Sequence, residues 1–418
     1  MATRGQKRNM RRLAYGVALA TATIALASVT GLAAAVEYIG GRAPLAALSI
    51  SKDDPNALVR AADLQLQQPQ NLPKSKELRA AGSTVLRGRP LSAGGVRMIA
   101  VAAQMDGNGH RAEQLLDLSS KISRRDFGTQ LMLIETAVQG GDVRKALTHY
   151  DVALQTNKSA DNILFPILAG AIEDPAVRSE FRAFIKTGHP WIGSFLGYAI
   201  RAGGHSRTVA TVIDEAGGLA HLEGREDIKS ALLQGLATER HFSELTHIYS
   251  TMDGAKRDIL TQSAFNQETT RQNLVPLAWH LTVAPPLSSG FQKADRNVKG
   301  LELQVSLEAG EEFIVARKLL YLRPGSYRFR AGIDSSTWLT DSNVRWILKC
   351  ALTTYEPAIW TGRFPDGGGS KAVAGTFATT CPVQYLDLVA GAGAGQSTLD
   401  FVAHSPDIQP VTADAARR

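Results

Sequence analysis

The residues best suited to hold a ligand lie in the last third of the chain, where arginine alternates with aromatic side chains. In YLRPGSYRFRAG, residues 321–332, Tyr327 and Phe329 point to one side of a predicted strand, while Arg328 and Arg330 point to the other. A guanidinium group offers a planar fork of N–H donors, which fits carboxylates and sugar hydroxyls. The alternative is an ordinary strand that buries its aromatic rings in a core and turns its arginines to water.

Two tryptophans near this strand add a second kind of contact. Trp338 lies in the polar loop DSSTWLTDSN, and Trp360 lies beside the loop PDGGGS. An indole in a loop can stack against the apolar C–H face of a pyranose ring. We therefore predict a ligand-binding site made of Trp338, Trp360, Arg328 and Arg330. Packing at the edge of the core is the alternative for both indoles.

The chain has two cysteines, Cys350 and Cys381. An even pair within one domain predicts a disulfide in an oxidising compartment, with two buried thiols as the alternative. Trp346 shares the face of Cys350 on a predicted strand and is expected to pack beside the bridge. Neither cysteine belongs to a CxxC motif or lies near paired histidines, so no metal site is predicted.

No motif in the sequence predicts catalysis. GxSxG, HExxH and phosphate-binding motifs are absent, and GAGAGQ, residues 391–396, is predicted as a hairpin loop. Glycoside hydrolysis needs two carboxylates that face one cleft. No motif brings together the loop residues Asp334, Asp341, Glu356 and Asp366. We therefore expect no catalytic residue and no cofactor.

The N-terminus predicts a membrane anchor. Residues 13–36 carry no charge and are long enough to cross the ~30 Å hydrocarbon core of a bilayer as a helix. Five basic residues and no acidic residue precede them, which favours a cytoplasmic tail at residues 1–12. The rest of the chain is then periplasmic. A signal peptide with a cleavage site at Ala33-Ala34-Ala35 is the alternative.

The charge distribution argues against nucleic-acid binding. The formal net charge is +7, but the basic residues close to the two ends account for all of it, and the stretch from Leu13 to Ala416 is formally neutral. Binding to nucleic acid needs a clustered basic surface on the folded part of a protein. No nucleic-acid partner is expected.

The middle of the chain predicts helical repeats. Residues 37–90 are rich in proline and predict a linker with one short helix, whereas residues 91–280 have helical periodicity with turns at intervals of about 34 residues or twice that. The segment GGDVRKALTHYDVAL, residues 140–154, resembles the second helix of a tetratricopeptide repeat. Its apolar stripe has helical spacing and consists of Ala146, Leu147, Tyr150 and Ala153.

The last part of the chain changes to the two-residue period of strands. We predict a β-sandwich, of the jelly-roll type, over residues 290–404, followed by a disordered polar tail at residues 405–418. The predicted strands are residues 301–308, 312–322, 326–333, 344–354, 358–364, 372–379, 383–390 and 397–404. The fold class is thus a multidomain α + β protein with a transmembrane helix, an α-solenoid of helical hairpins and an antiparallel sandwich.

The strand sequences LLYLRPGSYRFRAGID, WILKC and CPVQYLDLVAG resemble extracellular sandwich domains, many of which bind carbohydrate. With the anchor and the helical repeats, the layout resembles bacterial envelope proteins associated with exopolysaccharide production. This resemblance implies a non-catalytic, single-pass inner-membrane scaffold for synthesis or export of cell-surface polysaccharide. Protein partners would bind the helical repeats and a polysaccharide the sandwich. A protein-interaction adaptor and a glycan-active enzyme without a recognisable motif are the alternatives.

Overall fold

The computed structural model describes residues 42–68, 70, 72–294, 300–308, 312–335, 342–393 and 398–411. The predicted cytoplasmic tail and transmembrane helix lie outside the described residues. Within the described ranges, no helix is long and apolar enough to cross a membrane.

Within the described residues, the α-helices extend from residue 44 to residue 250. The described α-helices are α1 (Pro44–Ile50), α2 (Pro55–Leu66), α3 (Ser75–Gly88), α4 (Ala93–Met105), α5 (Gly109–Ile122), α6 (Phe127–Gln139), α7 (Val143–Thr156), α8 (Asp161–Ala171), α9 (Pro175–Thr187), α10 (Ile192–Ala202), α11 (Ser206–Glu215), α12 (Glu226–Thr238) and α13 (Phe242–Ser250). Two compact units divide within α8, where the first ends at Leu164 and the second begins at Phe165.

Short polar side chains begin many of these helices. Each accepts a hydrogen bond from a backbone N–H of the first turn, which would otherwise lack a partner within the helix. The residues that do so are Asp54, Ser92, Asn108, Asp126, Asp142 and Asp174. These caps fix where each helix begins and therefore which of its faces is buried.

Helices of the first unit pack as sequential pairs, and the predicted helical hairpins are confirmed. The predicted stripe of Ala146, Leu147, Tyr150 and Ala153 is buried. The tetratricopeptide likeness itself stays a prediction. One difference concerns residues 37–90, for which the sequence predicts one short helix. Three helices lie there, because α3 buries Leu78 and Val85 against α4 in spite of the prolines on either side.

Antiparallel strands form the last part of the second unit. They are β1 (His280–Leu281), β2 (Leu287–Lys293), β3 (Leu301–Glu308), β4 (Glu312–Leu320), β5 (Gly325–Ser335), β6 (Asn343–Cys350), β7 (Ala358–Arg363), β8 (Gly369–Thr379), β9 (Gln384–Gly391), β10 (Thr398–Ala403) and β11 (Asp407–Pro410). One sheet has five strands in the order β1-β4-β9-β6-β7. The other has six, in which β5 pairs with β8 on one side and with β10 and β11 on the other, followed by β3 and β2.

The two sheets enclose an aromatic and aliphatic core, so the predicted antiparallel sandwich is confirmed. Phe329 of β5 contacts Trp346 of β6 with ring centroids 5.9 Å apart. The core also contains Phe265 and Trp279, which precede the first strand. Aromatic residues of the segment between the last helix and the strands therefore belong to the sandwich core.

The strand boundaries agree with the predicted ones to within a few residues, but the sequence missed β1, β2 and β11. It predicts a disordered tail from residue 405, whereas Asp407–Pro410 pairs with β5. This strand has four residues, one of them proline, so a two-residue period could not be recognised in it.

Candidate functional site

The predicted ligand residues do not lie together. Arg328 and Arg330 are exposed on β5, on the face turned away from the core. Trp360 is half-buried on the core side, where its ring centroid lies 4.6 Å from that of Phe329. Trp360 and the two arginines are thus on opposite faces of the six-stranded sheet. Trp338 lies outside the described residues, and ligand binding by these four residues stays a prediction.

Trp360 packs tightly against the second sheet. A Cβ atom on Gly375 of β8 would come within 2.8 Å of Trp360 Nε1, so glycine permits the indole to lie against the strand. The aromatic residues of β5 are buried as predicted, with Phe329 and Tyr327 both in the core. The alternation of aromatic residues and arginines in β5 is therefore the pattern of a core strand whose arginines face water.

The predicted disulfide between Cys350 and Cys381 is confirmed. Cys350 ends β6, and the bridge ties the following loop, residues 351–357, to the segment that leads into β9. Backbone hydrogen bonds close the base of this loop, from Cys350 N to Pro357 O (3.0 Å) and from Ala351 N to Val383 O (3.0 Å). Trp346 is buried, and its ring centroid lies 5.8 Å from that of Trp279. Its packing beside the disulfide stays a prediction.

Tyr355 is the most exposed large apolar residue of this loop, with 95% of its surface accessible. It projects from a loop whose base is fixed by the disulfide. The next residue, Glu356, has a positive φ of 41°, a backbone conformation that residues other than glycine seldom adopt. The carboxylate of Glu356 stabilises this conformation, because it accepts a hydrogen bond from Arg317 Nη2 at 3.0 Å.

Arg317 belongs to an ion cluster on the outer face of the five-stranded sheet. Its guanidinium donates to both oxygens of Asp387, at 2.7 and 2.8 Å, and Lys349 Nζ lies 3.0 Å from the same carboxylate. The Asp387 side chain is 0% exposed, so its charge is compensated within the protein. Burial lowers the pKa of Arg317, but the hydrogen bond and charge of Asp387 outweigh this and raise it.

The same cluster includes a second tyrosine. The guanidinium carbon of Arg317 lies 4.6 Å from the ring centre of Tyr385, a cation–π contact. Burial raises the pKa of Tyr385, so its hydroxyl stays protonated and can donate a hydrogen bond. The outer face beside Tyr355 therefore presents paired charges and one phenol. We call Tyr355, Glu356, Arg317, Lys349, Asp387 and Tyr385 the Tyr355 site.

A second polar row crosses the outer face of the six-stranded sheet, on the side of Arg328 and Arg330. His404 Nδ1 lies 3.0 Å from Glu302 Oε1, and His404 Nε2 lies 3.0 Å from Asp334 Oδ2. Ser370 donates to the other oxygen of Asp334 at 2.5 Å. This hydrogen bond, followed by the charge of His404, lowers the pKa of Asp334. The sequence placed Asp334 in a loop, but it belongs to β5.

Neither group has the arrangement of a hydrolytic pair. Of the loop carboxylates considered in the sequence, Asp341 lies outside the described residues, and Asp334, Glu356 and Asp366 each contact different partners. Asp387 and Glu356 share Arg317, yet Asp387 is buried and held by two cations. Among the described residues, no cluster of His, Cys, Asp or Glu could hold a metal ion.

Sequence reasoning missed the Tyr355 site. The available signal was Asp387 inside the apolar strand VQYLDLVAG, because a carboxylate between buried residues requires a cationic partner. The identity of that partner, Arg317 of β4, depends on strand pairing. Tyr355 lies in the loop ALTTYEP, residues 351–357, and had no feature that distinguishes it from other loop residues.

Comparisons with known proteins give likenesses of fold only. No protein-family model and no curated protein matches this chain. A solved family 4 carbohydrate-binding module is similar over 30% of this chain and 94% of its own, at 13% identity and a TM-score of 0.22. A family 61 module in complex with β-1,4-galactotriose is similar over 30% of this chain and 90% of its own, at 12% identity and a TM-score of 0.22.

A third solved structure contains a family 22 module and the catalytic module of a Clostridium thermocellum endo-1,4-β-D-xylanase, complexed with xylohexaose. The similarity covers 37% of this chain and 28% of that one, at 11% identity and a TM-score of 0.25. Identities and TM-scores this low say nothing about which ligand this chain binds.

Proposed function

We propose that the sandwich is a non-catalytic glycan-binding domain whose ligand contacts the Tyr355 site. The observation that carries this proposal is the position of Tyr355, a ring that is 95% exposed on a loop fixed by a disulfide and by the ion pair of Glu356. A rigid exposed aromatic side chain loses little conformational entropy when a ligand covers it. The ring is therefore prepared for a flat apolar partner.

The neighbouring groups supply the polar half of such a contact. A pyranose ring has an apolar C–H face, which stacks on an aromatic side chain, and a rim of hydroxyls, which need donors and acceptors. Arg317, Lys349 and Glu356 lie half-buried beside the loop and offer both. Their mutual ion pairs fix their orientation before the ligand arrives.

Features outside the Tyr355 site support a role at the cell envelope. The disulfide supports an oxidising compartment. The uncharged segment at residues 13–36 supports an anchor in the bacterial inner membrane with the body in the periplasm. Stacked helix pairs offer surfaces for protein partners. We propose, on these grounds, that the chain is an accessory scaffold in the synthesis or export of cell-surface polysaccharide.

A protein-interaction adaptor is the second candidate. Exposed apolar side chains on and near the helices favour it, among them Leu91 at 83% and Val138 at 62% exposure. In that case Tyr355 would anchor a protein surface, since exposed tyrosines are frequent interface hot spots. A glycan-active enzyme is the third candidate, and no described cluster favours it.

The test is glycan binding by the full chain in detergent micelles, measured against a polysaccharide array and then by calorimetry. Tyr355→Ala is expected to weaken binding roughly tenfold or more, because the stacking surface is removed. Tyr355→Phe keeps the ring and is expected to bind like the wild type, which makes it the matched control.

Two outcomes would contradict the proposal. One is a wild-type chain that binds no polysaccharide on the array. The other is unchanged binding by Tyr355→Ala together with loss of binding by Arg328→Ala/Arg330→Ala, which would move the site to the arginine face of β5.

A further inference from the structure

A cleft of about 470 Å³ lies between three segments of the second unit. They are residues 261–264, the turn between β4 and β5, and strand β11. No residue of the Tyr355 site lines this cleft. Its volume is within the range of small-ligand sites.

The walls of the cleft are tied to one another by hydrogen bonds. Ser263 Oγ donates to Pro406 O at 2.9 Å, which joins the first segment to the start of β11. Tyr321 N donates to Leu260 O at 2.7 Å, and Tyr327 Oη donates to Arg323 O at 2.8 Å. A ligand therefore meets a surface that is already ordered, and binding costs less entropy.

The mouth of the cleft carries polar groups that are available to a ligand. Arg323 and Asp407 are both exposed, and within the described part of the chain neither makes an ion pair. Gln262 Oε1 accepts a hydrogen bond from Asn266 Nδ2 at 3.2 Å, which leaves the amide protons of Gln262 free to donate. The buried Leu322 contributes an apolar lining.

A second cleft of about 460 Å³ shares Gln262 with the first. It contributes Lys256, Asp258 and Glu268. An extended ligand that crosses Gln262 would occupy both clefts. Counted together with Arg323 and Asp407, the charged lining has three carboxylates and two cations. This balance disfavours an acidic chain, while carboxylates and amides suit vicinal hydroxyls.

We propose that the two clefts form a binding groove for a neutral polysaccharide chain, separate from the Tyr355 site. Asp407 and Gln262 bond ring hydroxyls, Arg323 donates to a hydroxyl or ring oxygen, and the apolar lining receives a C–H face. A chain with two such surfaces can hold one polymer at two places, which raises the overall affinity through effective concentration.

The experiment uses calorimetry of the full chain in detergent micelles with cellohexaose, mannohexaose and xylohexaose as neutral probes and hexagalacturonate as the acidic one. The background is Tyr355→Ala, so that the first site does not contribute. At least one neutral probe is expected to bind. Adding Gln262→Ala/Asp407→Asn is expected to weaken that binding roughly tenfold or more. Gln292→Ala, an exposed change on β2 outside both clefts, is the matched control and is expected to have no effect.

The groove is disproved if no neutral probe binds to the Tyr355→Ala chain, or if Gln262→Ala/Asp407→Asn binds as well as its background. Preference for hexagalacturonate over every neutral probe also overturns it. If Tyr355→Ala alone leaves glycan binding unchanged, this result counts against the Tyr355 site. The groove is then tested separately by Gln262→Ala/Asp407→Asn.

Discussion

At the scale of single residues, Lys318 has the least usual surroundings. It lies on β4 with 0% exposure and faces the core. Its ammonium donates to the backbone carbonyls of Ile259, at 2.7 Å, and of Leu277. Burial lowers the pKa of Lys318 to about 7. One amine thus joins the sandwich to two turns of the segment that precedes it.

This residue predicts a pH dependence of stability. The unfolded chain takes up a proton at Lys318 below about pH 10.5, but the folded chain does so only below about pH 7. Between these values the unfolded state binds more protons, so the free energy of unfolding rises with pH, by at most about 5 kcal/mol. Urea unfolding at about pH 7 and about pH 9.5 measures the rise.

Lys318→Met removes the titrating group and is expected to flatten this rise relative to the wild type. The comparison of slopes cancels the contribution of all other groups. Parallel slopes in the two proteins would contradict the prediction, whatever the absolute stability of the variant.

At the scale of elements, Arg97 connects three helices of the first unit. It lies on α4 with a side chain that is 4% exposed, and it contacts Asp63 of α2 at 2.5 Å and Asp126, the N-cap of α6, at 2.8 Å. Burial lowers the pKa of Arg97, but the hydrogen bond to Asp63 and the charges of both carboxylates raise it. The guanidinium of Arg97 therefore fixes the distances between α2, α4 and α6.

Arg97→Met is expected to lower the free energy of unfolding by about 3–5 kcal/mol, because two partly buried carboxylates lose their cation. Denaturant unfolding followed by far-ultraviolet circular dichroism measures this loss. Arg79→Met is the control, since the Arg79–Asp106 pair is exposed and is expected to contribute little. If Arg97→Met and Arg79→Met lost equal free energy of unfolding, burial of the Arg97 ion pairs would not be the cause of the loss.

Helices and strands could be predicted where their hydrophobic periodicity extends over enough residues to be recognised. β3 and β7 begin where the sequence predicted them, and in β3 every second residue from Leu303 to Leu307 is buried. α3 was missed since proline on both sides suggested a linker. The Tyr355 site could not be predicted, because its residues come from β4, β6, β9 and a loop, and only strand pairing brings them together.

At the scale of the whole molecule, Cys350 and Cys381 are the chain's two cysteines and are joined to each other. Replacing both by serine is expected to lower the free energy of unfolding by about 3–4 kcal/mol on the chain-entropy estimate for a loop of this length. The variant also frees the loop that carries Tyr355, so glycan binding should weaken as well. Calorimetric binding and denaturant unfolding measure the two effects.

The oxidation state of the pair tests the proposed compartment. Alkylation in intact cells, before any reductant is added, is expected to leave both cysteines unlabelled. Reaction of both thiols in freshly quenched cells would contradict a periplasmic body. The Cys350→Ser chain, which retains one thiol, serves as the positive control for labelling.

The strand order has a consequence for how the chain is made. β9 lies between β4 and β6, and β10 lies between β3 and β5, although both come late in the sequence. Neither sheet can be completed until residues 384–403 have been synthesised and have reached the compartment in which the sandwich folds. The helical pairs have no such dependence on late residues. For that interval the earlier strands have open edges, which pair readily with other chains. The sandwich is thus the last part to form, and we expect its yield to depend on folding factors where it emerges.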